Sequence, residues 1–342
     1  MKFSDLLRDE YECARARAGV GDALGALRGR RILITGATGL IGGWLVDFLN
    51  YMNVAHGLGV DIFAVSRSAK KLAHRFGDAT QNLHFIECDL SGGNMPDGTF
   101  DFVVHAASPA CPAAYTAQPV DVIRANILGT MALLTAACTN DTRFLFVSSG
   151  EVYGHNKSDA PFVETDTGEI QFATVRACYP ESKRTAESLC MAYAAQYGRN
   201  VCIVRPNYVY GPRIAPENNR ADAQFLRAVM SGHDIILNSD GAQRRTWCYV
   251  ADAGTAILRT VLCGARGAIY NIANPNAAAS VREFAECMAQ CGGVAVQIAS
   301  NATTVVGADS VLNADRLIQA GWTPVYDLQS GVARTVAIAK TE

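Results

Sequence analysis

Tyr179 and Lys183 are the residues of this chain whose types and spacing point most directly to chemistry. They stand four positions apart in a Tyr-Pro-Glu-Ser-Lys stretch, so on a helix their side chains share one face. An ammonium group lowers the pKa of a neighbouring phenol, which predicts that Tyr179 is a general base near neutral pH. Ser149 ends a predicted strand opposite this helix and is expected to hydrogen-bond a substrate hydroxyl. Together the three residues are predicted to form one proton-transfer unit.

A glycine-rich turn between a strand and a helix supplies a second candidate site. The sequence Thr-Gly-Ala-Thr-Gly-Leu-Ile-Gly at 35–42 follows the apolar run 31–35 and precedes an apolar helical pattern. Glycines three apart let the backbone approach a pyrophosphate at the N-terminus of a helix. The turn predicts a dinucleotide site whose nicotinamide accepts hydride while Tyr179 removes the proton. Its predicted cofactor contacts are Gly36, Thr38, Gly39, Leu40, Ile41 and Gly42.

The residues after the second predicted strand leave the choice of cofactor open. Ser66 and Arg67 stand where an acidic residue would normally bind the adenine-side ribose of NAD. Arg67 would accept the 2′-phosphate of NADP, stack on the adenine of NAD, or begin a solvated helix. Both NAD and NADP are therefore predicted cofactors, with Ser66 and Arg67 among the binding residues.

The elements that must position these residues are short apolar strands alternating with helices. Strands are predicted at 31–35, 61–65, 83–87, 102–105, 144–147 and 201–204. The alternation predicts an α/β fold of the Rossmann type, a doubly wound parallel sheet with ligands at the carboxyl ends of its strands. The predicted parts are a helical N-terminal extension at 1–30, a dinucleotide-binding domain at 31–206 with part of 247–275 returning to it, and a smaller, partly discontinuous substrate-binding domain, mainly 207–342.

Composition limits the classes of partner. The chain has 342 residues, 49% of them hydrophobic, and a formal net charge of -2, which gives no reason to expect nucleic acid or an anionic membrane. Its 11 cysteines are scattered without CxxC pairs or clustered His, so we expect reduced thiols, no metal and a cytoplasmic location. The N-terminus is too charged for a signal peptide, and no apolar run is expected to approach the roughly 20 residues of a membrane span.

Four segments carry a resemblance to a known family: the loop 105–110, the turn 151–154, the stretch 176–184, and Gln-Arg-Arg at 243–245. They resemble the extended short-chain dehydrogenase/reductase family of sugar-nucleotide epimerases, dehydratases and decarboxylases, and look most like UDP-glucuronate decarboxylases. The resemblance covers nearly everything from Arg31 to the C-terminus. It implies an NAD(P)-dependent enzyme that acts on a nucleotide sugar by hydride transfer at sugar carbon 4.

The resemblance also assigns residues to ligands. Asp89 is expected on the adenine amino group, and small residues at 106–108 line the cofactor. The implied cofactor-binding residues are Asp89, Leu90, Ala106, Ala107, Ser108, Asn126, Ser148, Tyr179, Lys183 and Pro206. The implied substrate-binding residues are Ser108, Gly150, Arg176, Asn207, Tyr208, Arg213, Arg220 and Arg245, the last three near the nucleotide diphosphate. A homodimer through helices at 120–137 and 179–197 is implied as well.

The reaction type depends on Gly150 and Glu151. Sugar-nucleotide 4,6-dehydratases usually carry Asp where this chain has Gly150, and decarboxylases tend to have Ser there. Glu151 is expected to be catalytic, removing a proton from carbon 5 of a 4-keto sugar, with anchoring of the loop as the alternative. Decarboxylation, dehydration, epimerisation and NADPH-dependent reduction of a 4-keto-6-deoxy sugar stay open. A non-catalytic dinucleotide-binding regulator is the alternative of another class, against which Ser149, Tyr179 and Lys183 argue.

Overall fold

A seven-stranded parallel sheet lies at the centre of the computed structural model, which describes residues 4–93, 95, 98–155, 160–303 and 309–341. In chain order the described strands are β1 (Arg31–Thr35), β2 (Asp61–Ser66), β3 (Leu83–Glu87), β4 (Phe102–His105), β5 (Arg143–Val147), β6 (Asn200–Pro206), β7 (Val209–Tyr210), β8 (Ile235–Ser239), β9 (Arg244–Thr246), β10 (Cys248–Tyr249), β11 (Ile269–Ile272), β12 (Ala278–Ser280) and β13 (Val296–Thr303). The central sheet has the order β11-β6-β5-β4-β1-β2-β3. The predicted Rossmann-type sheet is confirmed.

Helices separate these strands. The described α-helices are α1 (Asp5–Arg17), α2 (Leu40–His56), α3 (Ala69–Phe76), α4 (Pro112–Ala117), α5 (Pro119–Ala132), α6 (Cys178–Tyr197), α7 (Ala221–Met230), α8 (Val250–Cys263), α9 (Val281–Gly292), α10 (Asp315–Gln319) and α11 (Leu328–Ala339). Short turns of 3-10 helix lie at Asp22–Leu27, Leu90–Gly92, Gly150–Tyr153, Val175–Ala177 and Pro275–Ala277, and a π-helical turn at Leu133–Ala137 extends α5.

Alternate residues of the sheet enter two separate cores. In β1, Ile32 and Ile34 pack in the core that contains α2 and α8, whereas Leu33 packs in the core that contains residues of α6. Successive side chains of a strand point to opposite faces, so a strand covered on both faces reads as one continuous apolar run. That is why the runs in the sequence predicted the strands closely.

The part of the chain after β6 builds smaller sheets beside the large one. Strands β7 and β10, and β8 and β13, pair in parallel, while β9 and β12 are antiparallel. Trp247 and Phe284 stack at 3.9 Å between ring centres in the core of this part. Strand β11 returns to the central sheet beside β6. The domain limits predicted from the sequence stay predictions.

The N-terminal helix α1 packs on the helix that follows the glycine turn. The ring of Tyr11 lies edge-on to Trp44 and Phe48 of α2, at 5.8 and 5.9 Å between centres. Glu10 is buried and accepts a hydrogen bond of 2.8 Å from Trp44 Nε1 and another from the Tyr249 hydroxyl. The extension is therefore integrated into the fold.

One helix contradicts the expectation that no apolar run approaches the length of a membrane span. Over the described residues, Pro119–Ala137 is 19 residues long and is apolar enough to cross a bilayer by length and composition alone. Nearly half of it is buried inside the protein, where α5 packs against α6. Core helices of water-soluble proteins pass the same test, so this single helix is weak evidence for a membrane.

Candidate active site

The glycine turn brings the backbone of 36–42 close to the loop after β4. Gly36 has φ of +70°, and a Cβ added there would lie 2.8 Å from Ala106 O. A Cβ on Gly42 would overlap Gly36 O. Among the described residues no side chain caps the start of α2 after Gly39, so its first amides are open to an anion. The turn thus has the shape and the donors that a dinucleotide pyrophosphate needs.

The adenosine end of this site holds no carboxylate at the tip of β2. Ser66 Oγ lies 3.2 Å from Thr38 Oγ1, and Arg67 is exposed. Glu87, the register neighbour of Ser66 on β3, uses Oε2 to accept from Ala69 N at the start of α3. Burial alone would raise the pKa of Asp89, but hydrogen bonds from Ser91 and the charge of Arg67 lower it. Arg67 and Asp89 therefore face the same region.

Eleven buried side-chain polar atoms find no hydrogen-bond partner among the described residues, and three of them belong to predicted cofactor-binding residues. These three are Ser108 Oγ, Asn126 Oδ1 and Ser148 Oγ. Asn126 also donates Nδ2 to Ser182 Oγ of α6 at 2.9 Å. Buried polar groups are rarely left unpaired, so these atoms mark a place where a polar ligand fits. They follow β4 and β5 or lie on α5, as the nicotinamide half of the predicted cofactor requires.

The other predicted cofactor residues surround this region. Leu40 and Ile41 begin α2, Leu90 is buried, and Pro206 ends β6. Ala107 donates its amide to Thr35 Oγ1 at 3.1 Å, which fixes the loop of Ala106 and Ala107 against β1. The glycine turn, the unpaired polar atoms and these residues together fit a dinucleotide, and their individual contacts remain predictions.

Tyr179 is buried near the start of α6, where it meets Ser149 and Tyr115. Its hydroxyl is hydrogen-bonded by both side chains, and the rings of Tyr179 and Tyr115 stack at 4.6 Å between centres. Burial raises the pKa of Tyr179 to about 12, and the charge of Glu151 raises it too. The expected pKa near neutrality is therefore wrong for this structure, because the sequence does not show how deeply the phenol is buried.

Lys183 lies one helical turn after Tyr179 on α6, and its side chain reaches strand β5 of the central sheet. Its Nζ donates to Val147 O at 2.7 Å and stands 4.6 Å from the ring centre of Phe146 and 5.9 Å from that of Tyr179. Burial lowers the pKa of Lys183 to about 7, although Glu187 acts in the other direction. The structure thus brings Ser149, Tyr179 and Lys183 together, as the spacing predicts.

Glu151 and Arg176 form an ion pair at the open side of Tyr115. Arg176 Nη2 donates to Glu151 Oε2 at 2.6 Å, and the guanidinium carbon lies 4.7 Å from the ring centre of Tyr115. Arg176, Tyr115 and Tyr179 therefore form a stack that leads from the surface to the buried phenol. Tyr115 was not predicted, since only the tertiary position of the six-residue helix α4 brings it here. The sequence signal was weak: one tyrosine seven residues after Ser108.

Asn207 occupies the space beside Gly150. A Cβ on Gly150 would lie 2.8 Å from Asn207 Oδ1. The Asn207 amide is 3% exposed and donates to Thr246 Oγ1 at 2.8 Å and to Ser310 O at 2.7 Å. Its donors are therefore used within the protein, and Asn207 braces the turn at Gly150.

Tyr208 is the described non-glycine residue with a positive φ, at +37°. The guanidinium carbon of Arg245 lies 4.1 Å from the centre of its ring. Arg220 donates Nη2 to Val209 O at 3.1 Å, and its charge acts on both Tyr115 and Tyr179. Two guanidinium groups thus lie near Tyr208 and the proton-transfer residues, where an anionic part of a substrate would be favoured.

Arg213 has a different surrounding from the other two arginines. It forms an ion pair with Asp47 of α2, which Arg75 also contacts at 3.3 Å. Arg75 in turn donates to Gly39 O at 3.2 Å. Arg213 therefore lies beside the helix that follows the glycine turn, and its expected contact with the substrate diphosphate stays a prediction.

This chain is similar in sequence to a known protein family and to several known enzymes. Residues 32–273 match the model of the NAD dependent epimerase/dehydratase family. UDP-glucuronic acid decarboxylase 2 of Arabidopsis thaliana is 33% identical over 251 residues, 72% of this chain and 54% of that protein. UDP-glucuronic acid decarboxylase 6 of the same plant is 34% identical, over 72% of this chain and 69% of that protein. The chain thus spans about half the length of the first of these relatives.

Solved structures share the fold. UDP-glucose 4-epimerase from Thermotoga maritima has a TM-score of 0.75 at 22% identity, covering 91% of this chain and 99% of that one. The dTDP-glucose 4,6-dehydratase DesIV from Streptomyces venezuelae, with NAD bound, has a TM-score of 0.75 at 25% identity, covering 91% of this chain and 97% of that one. The sheet, the glycine turn and the segments that carry the site therefore belong to a known architecture.

Proposed function

Because this chain belongs to the NAD-dependent epimerase/dehydratase family, we propose that it decarboxylates a nucleotide-linked uronic acid, with UDP-glucuronate as the representative substrate. The membership makes it an NAD-dependent sugar-nucleotide enzyme, and the reaction is the finer step. Relatives at 33% and 34% identity are UDP-glucuronic acid decarboxylases, which supports this choice. The residues at Tyr179, Glu151 and Arg176 supply the groups that it needs.

The first step is oxidation of the hydroxyl on carbon 4. NAD, when bound, accepts hydride from that carbon and later returns it. Ser149 and Tyr179 hold the hydroxyl, and Tyr179 takes its proton. Because the pKa of Tyr179 is about 12, the phenol keeps its proton at neutral pH unless positive charge favours the phenolate. The charge of Arg220 already lowers this pKa, the Lys183 ammonium lies 5.9 Å from the ring centre, and the nicotinamide ring of bound NAD would add a further positive charge.

The second step uses the ketone at carbon 4, which stands β to the uronate carboxylate. The bond between carbon 5 and the carboxylate breaks, carbon dioxide leaves, and the electron pair forms an enolate across carbons 4 and 5. Hydroxyl groups of Ser149 and Tyr179 stabilise the enolate oxygen by hydrogen bonds. Glu151, which is half-exposed, passes a solvent proton to carbon 5. Return of hydride to carbon 4 completes a cycle with no net change in the cofactor.

Arg176 is the group that orients the uronate carboxylate. Its side chain is 55% exposed, and one nitrogen donates to Glu151. Within the described part of the chain the other N–H groups have no hydrogen-bond partner, so they can bind a second carboxylate. Since Glu151 offsets the charge of Arg176, the guanidinium orients the substrate carboxylate without strongly stabilising its ionised ground state. Decarboxylation benefits from this balance, because stabilising the ground state would raise the barrier.

The contact between Gly150 and Asn207 is the observation that argues against dehydration. Elimination of water needs an acid that protonates the departing hydroxyl. A side chain at position 150 would collide with Asn207, whose Oδ1 would lie 2.8 Å from the added Cβ. Carbon dioxide leaves as a neutral molecule and needs no such acid. Position 150 therefore holds no acid, which disfavours dehydration. Any side chain there, including the Ser typical of decarboxylases, would meet Asn207, so decarboxylation is supported by the relatives rather than by this contact.

Mass spectrometry of the product tests the proposal. The purified protein is incubated with UDP-glucuronate and a small amount of NAD, and the expected product has lost carbon dioxide without accumulation of NADH. Tyr179→Phe is the matched control and is expected to abolish turnover. Loss of water, or an unchanged mass with an inverted centre, would contradict decarboxylation.

A second candidate is an NADPH-dependent reductase of a nucleotide-linked 4-keto-6-deoxy sugar. Position 66, at the end of β2, is Ser rather than an acidic residue, and the next residue, Arg67, is exposed. Both features favour NADPH as the cofactor, because a guanidinium binds a 2′-phosphate well. In that case NADPH absorbance falls in proportion to turnover, whereas a decarboxylase recycles its cofactor. The same incubation with NADPH and a 4-keto-6-deoxy sugar distinguishes the two.

The proposed assembly is a homodimer through α5 and α6. Exposed apolar side chains lie on both helices: Val120 is 64% exposed, Met131 41% and Met191 40%. Burial of such a row against a second copy would remove apolar surface from water. Light scattering is expected to give a dimer, and Val120→Asp to give monomers. Val54→Asp, a change at a 73% exposed residue of α2 on the other face of the sheet, is the control that leaves the dimer intact.

A further inference from the structure

A buried ion pair one helical turn beyond Lys183 joins the two halves of the candidate active site. Arg205, near the end of β6, donates Nε to Glu187 Oε1 at 3.0 Å and Nη2 to Glu187 Oε2 at 2.7 Å. Arg205 is 9% exposed and Glu187 is 7% exposed. Two parallel hydrogen bonds fix the orientation of both side chains. A buried ion pair adds little net stability, but these two hydrogen bonds hold α6 and β6 in one arrangement.

The same guanidinium reaches the turn that carries Glu151. Its Nη1 donates to the Tyr153 hydroxyl at 2.9 Å, and that hydroxyl donates to Asn271 Oδ1 of β11 at 2.6 Å. Tyr153 is 1% exposed and ends the short helix that begins after Ser149. One chain of buried hydrogen bonds therefore runs from α6 to the turn with Ser149 and Glu151.

In the described part of the chain, the ionisable groups coupled to the charge of Lys183 lie on α6 and β4. Glu187 and Cys190, on α6, both favour its charged form, and among the described residues Glu187 is the carboxylate that does so. His105 of β4 is buried, and burial together with the charge of Lys183 lowers its pKa to about 3, so it is neutral. Tyr179 stands one turn before Lys183, and burial raises its pKa to about 12. The ammonium thus depends on Glu187.

We propose that Glu187 and Arg205 are positioning residues that hold the ammonium of Lys183 and the turn of Ser149 and Glu151 in a fixed relation around the reacting sugar. The inference rests on the proton-transfer function proposed above. It assigns two separable effects. Glu187 supplies charge to Lys183, and the Tyr153 hydroxyl supplies only the mechanical link between Arg205 and the turn.

Three variants separate these effects. Glu187→Gln removes the charge, Tyr153→Phe removes the link and keeps the ring, and Glu181→Gln is the matched control. Glu181 lies on the same helix in a half-exposed ion pair with Arg184, at 3.3 Å. NAD affinity is measured by calorimetry across the pH range around neutrality, and kcat and KM for UDP-glucuronate are measured over the same range.

NAD affinity and kcat are expected to fall at high pH as Lys183 loses its proton, and this fall is the alkaline limb of each pH profile. Glu187→Gln is expected to move the alkaline limb to lower pH by about one unit, because losing a nearby negative charge lowers the pKa of Lys183. Tyr153→Phe is expected to lower kcat about tenfold through misplacement of the turn, with the alkaline limb unchanged because no charge is altered. Glu181→Gln is expected to change neither quantity.

A Glu187→Gln protein that loses thermal stability but keeps the parent's pH limb and kcat would overturn the proposal, as would an equal shift in Glu181→Gln. NAD affinity needs no sugar, so a shifted limb in a protein without turnover would contradict the proposed reaction and support the role of Glu187. If Glu187→Gln does not fold, Glu187→Asp and Tyr153→Phe decide the matter. If both variants have a lower kcat than the parent and an unchanged alkaline limb, the positioning role is supported. If both have the kcat of the parent, the proposal is overturned.

Discussion

The Asn207 side chain fills the space that a side chain at position 150 would need, since a Cβ on Gly150 would lie 2.8 Å from Asn207 Oδ1. Asn207 cannot easily move away, because its amide nitrogen donates to Thr246 and to the backbone of Ser310. The turn that carries Glu151 is thereby fitted to a glycine. This contact leaves no room for an acidic side chain at position 150, and it makes the turn sensitive to substitution there.

Gly150→Ser is expected to lower the free energy of unfolding by about 1–3 kcal/mol, because an added side chain in a filled space forces its neighbours to shift. Thermal or denaturant unfolding measures the loss. In the double variant with Asn207→Ala the cost of Gly150→Ser is expected to be smaller, because the colliding amide is gone. Strict additivity of the two changes would show that the residues do not share this space.

Glu151→Gln is expected to lower kcat about 100-fold while leaving the first hydride transfer intact, because the amide cannot move a proton at carbon 5. A single-turnover experiment at the reduced-cofactor absorbance band measures the first step, and product mass measures the whole reaction. Arg176 remains able to donate to the Gln oxygen, so the fold is expected to be unchanged. If the first hydride transfer also disappeared, Glu151 would act earlier than proposed.

Tyr115→Leu is expected to raise KM about tenfold, because it removes the ring that stacks on Tyr179 at 4.6 Å and supports Arg176 at 4.7 Å. Aromatic and cation–π contacts of this kind are worth about 1 kcal/mol each. Steady-state kinetics measure KM. Tyr115→Phe keeps the ring and removes only the hydroxyl that hydrogen-bonds Tyr179, so KM is expected near the parent value and any loss is expected in kcat. Equal effects in both variants would assign the loss to the hydroxyl instead.

The strands and the proton-transfer residues followed from the sequence for physical reasons. Runs such as 31–35 are covered on both faces, so they are apolar throughout, and Tyr179 and Lys183 are placed by the period of a single helix. Local spacing was therefore enough to bring them together on α6.

Tertiary placement could not be read in the same way. The stack of Tyr115 on Tyr179 depends on how α4 meets α6, and the high pKa of Tyr179 depends on its burial. Arg213 and Arg245 were both expected near the nucleotide diphosphate, yet one pairs with Asp47 and the other lies on Tyr208. The motif gives the residue type, and the packing decides its partner.

Ser66→Asp is expected to lower the use of NADP at least tenfold relative to NAD. A carboxylate at the end of β2 accepts hydrogen bonds from the ribose hydroxyls of NAD and repels a 2′-phosphate. The ratio of the two affinities, measured by calorimetry, is the readout. Ser66→Ala is the control, because it removes the same contact with Thr38 without adding charge. An unchanged ratio would show that the adenosine ribose binds away from the tip of β2.

Tyr208 has φ of +37°, a conformation that costs most L-residues about 1–2 kcal/mol and that Asn tolerates better than Ala. Tyr208→Asn is therefore expected to be more stable than Tyr208→Ala by about 1 kcal/mol, because both lose the ring and only one fits the backbone. Both are expected to raise KM, because Arg245 loses the ring 4.1 Å from its guanidinium carbon. Unfolding and steady-state kinetics measure the two effects, and Tyr208→Phe, which keeps ring and strain, is the control. Were KM unchanged in Tyr208→Asn, the ring would serve packing against Trp247 rather than substrate binding.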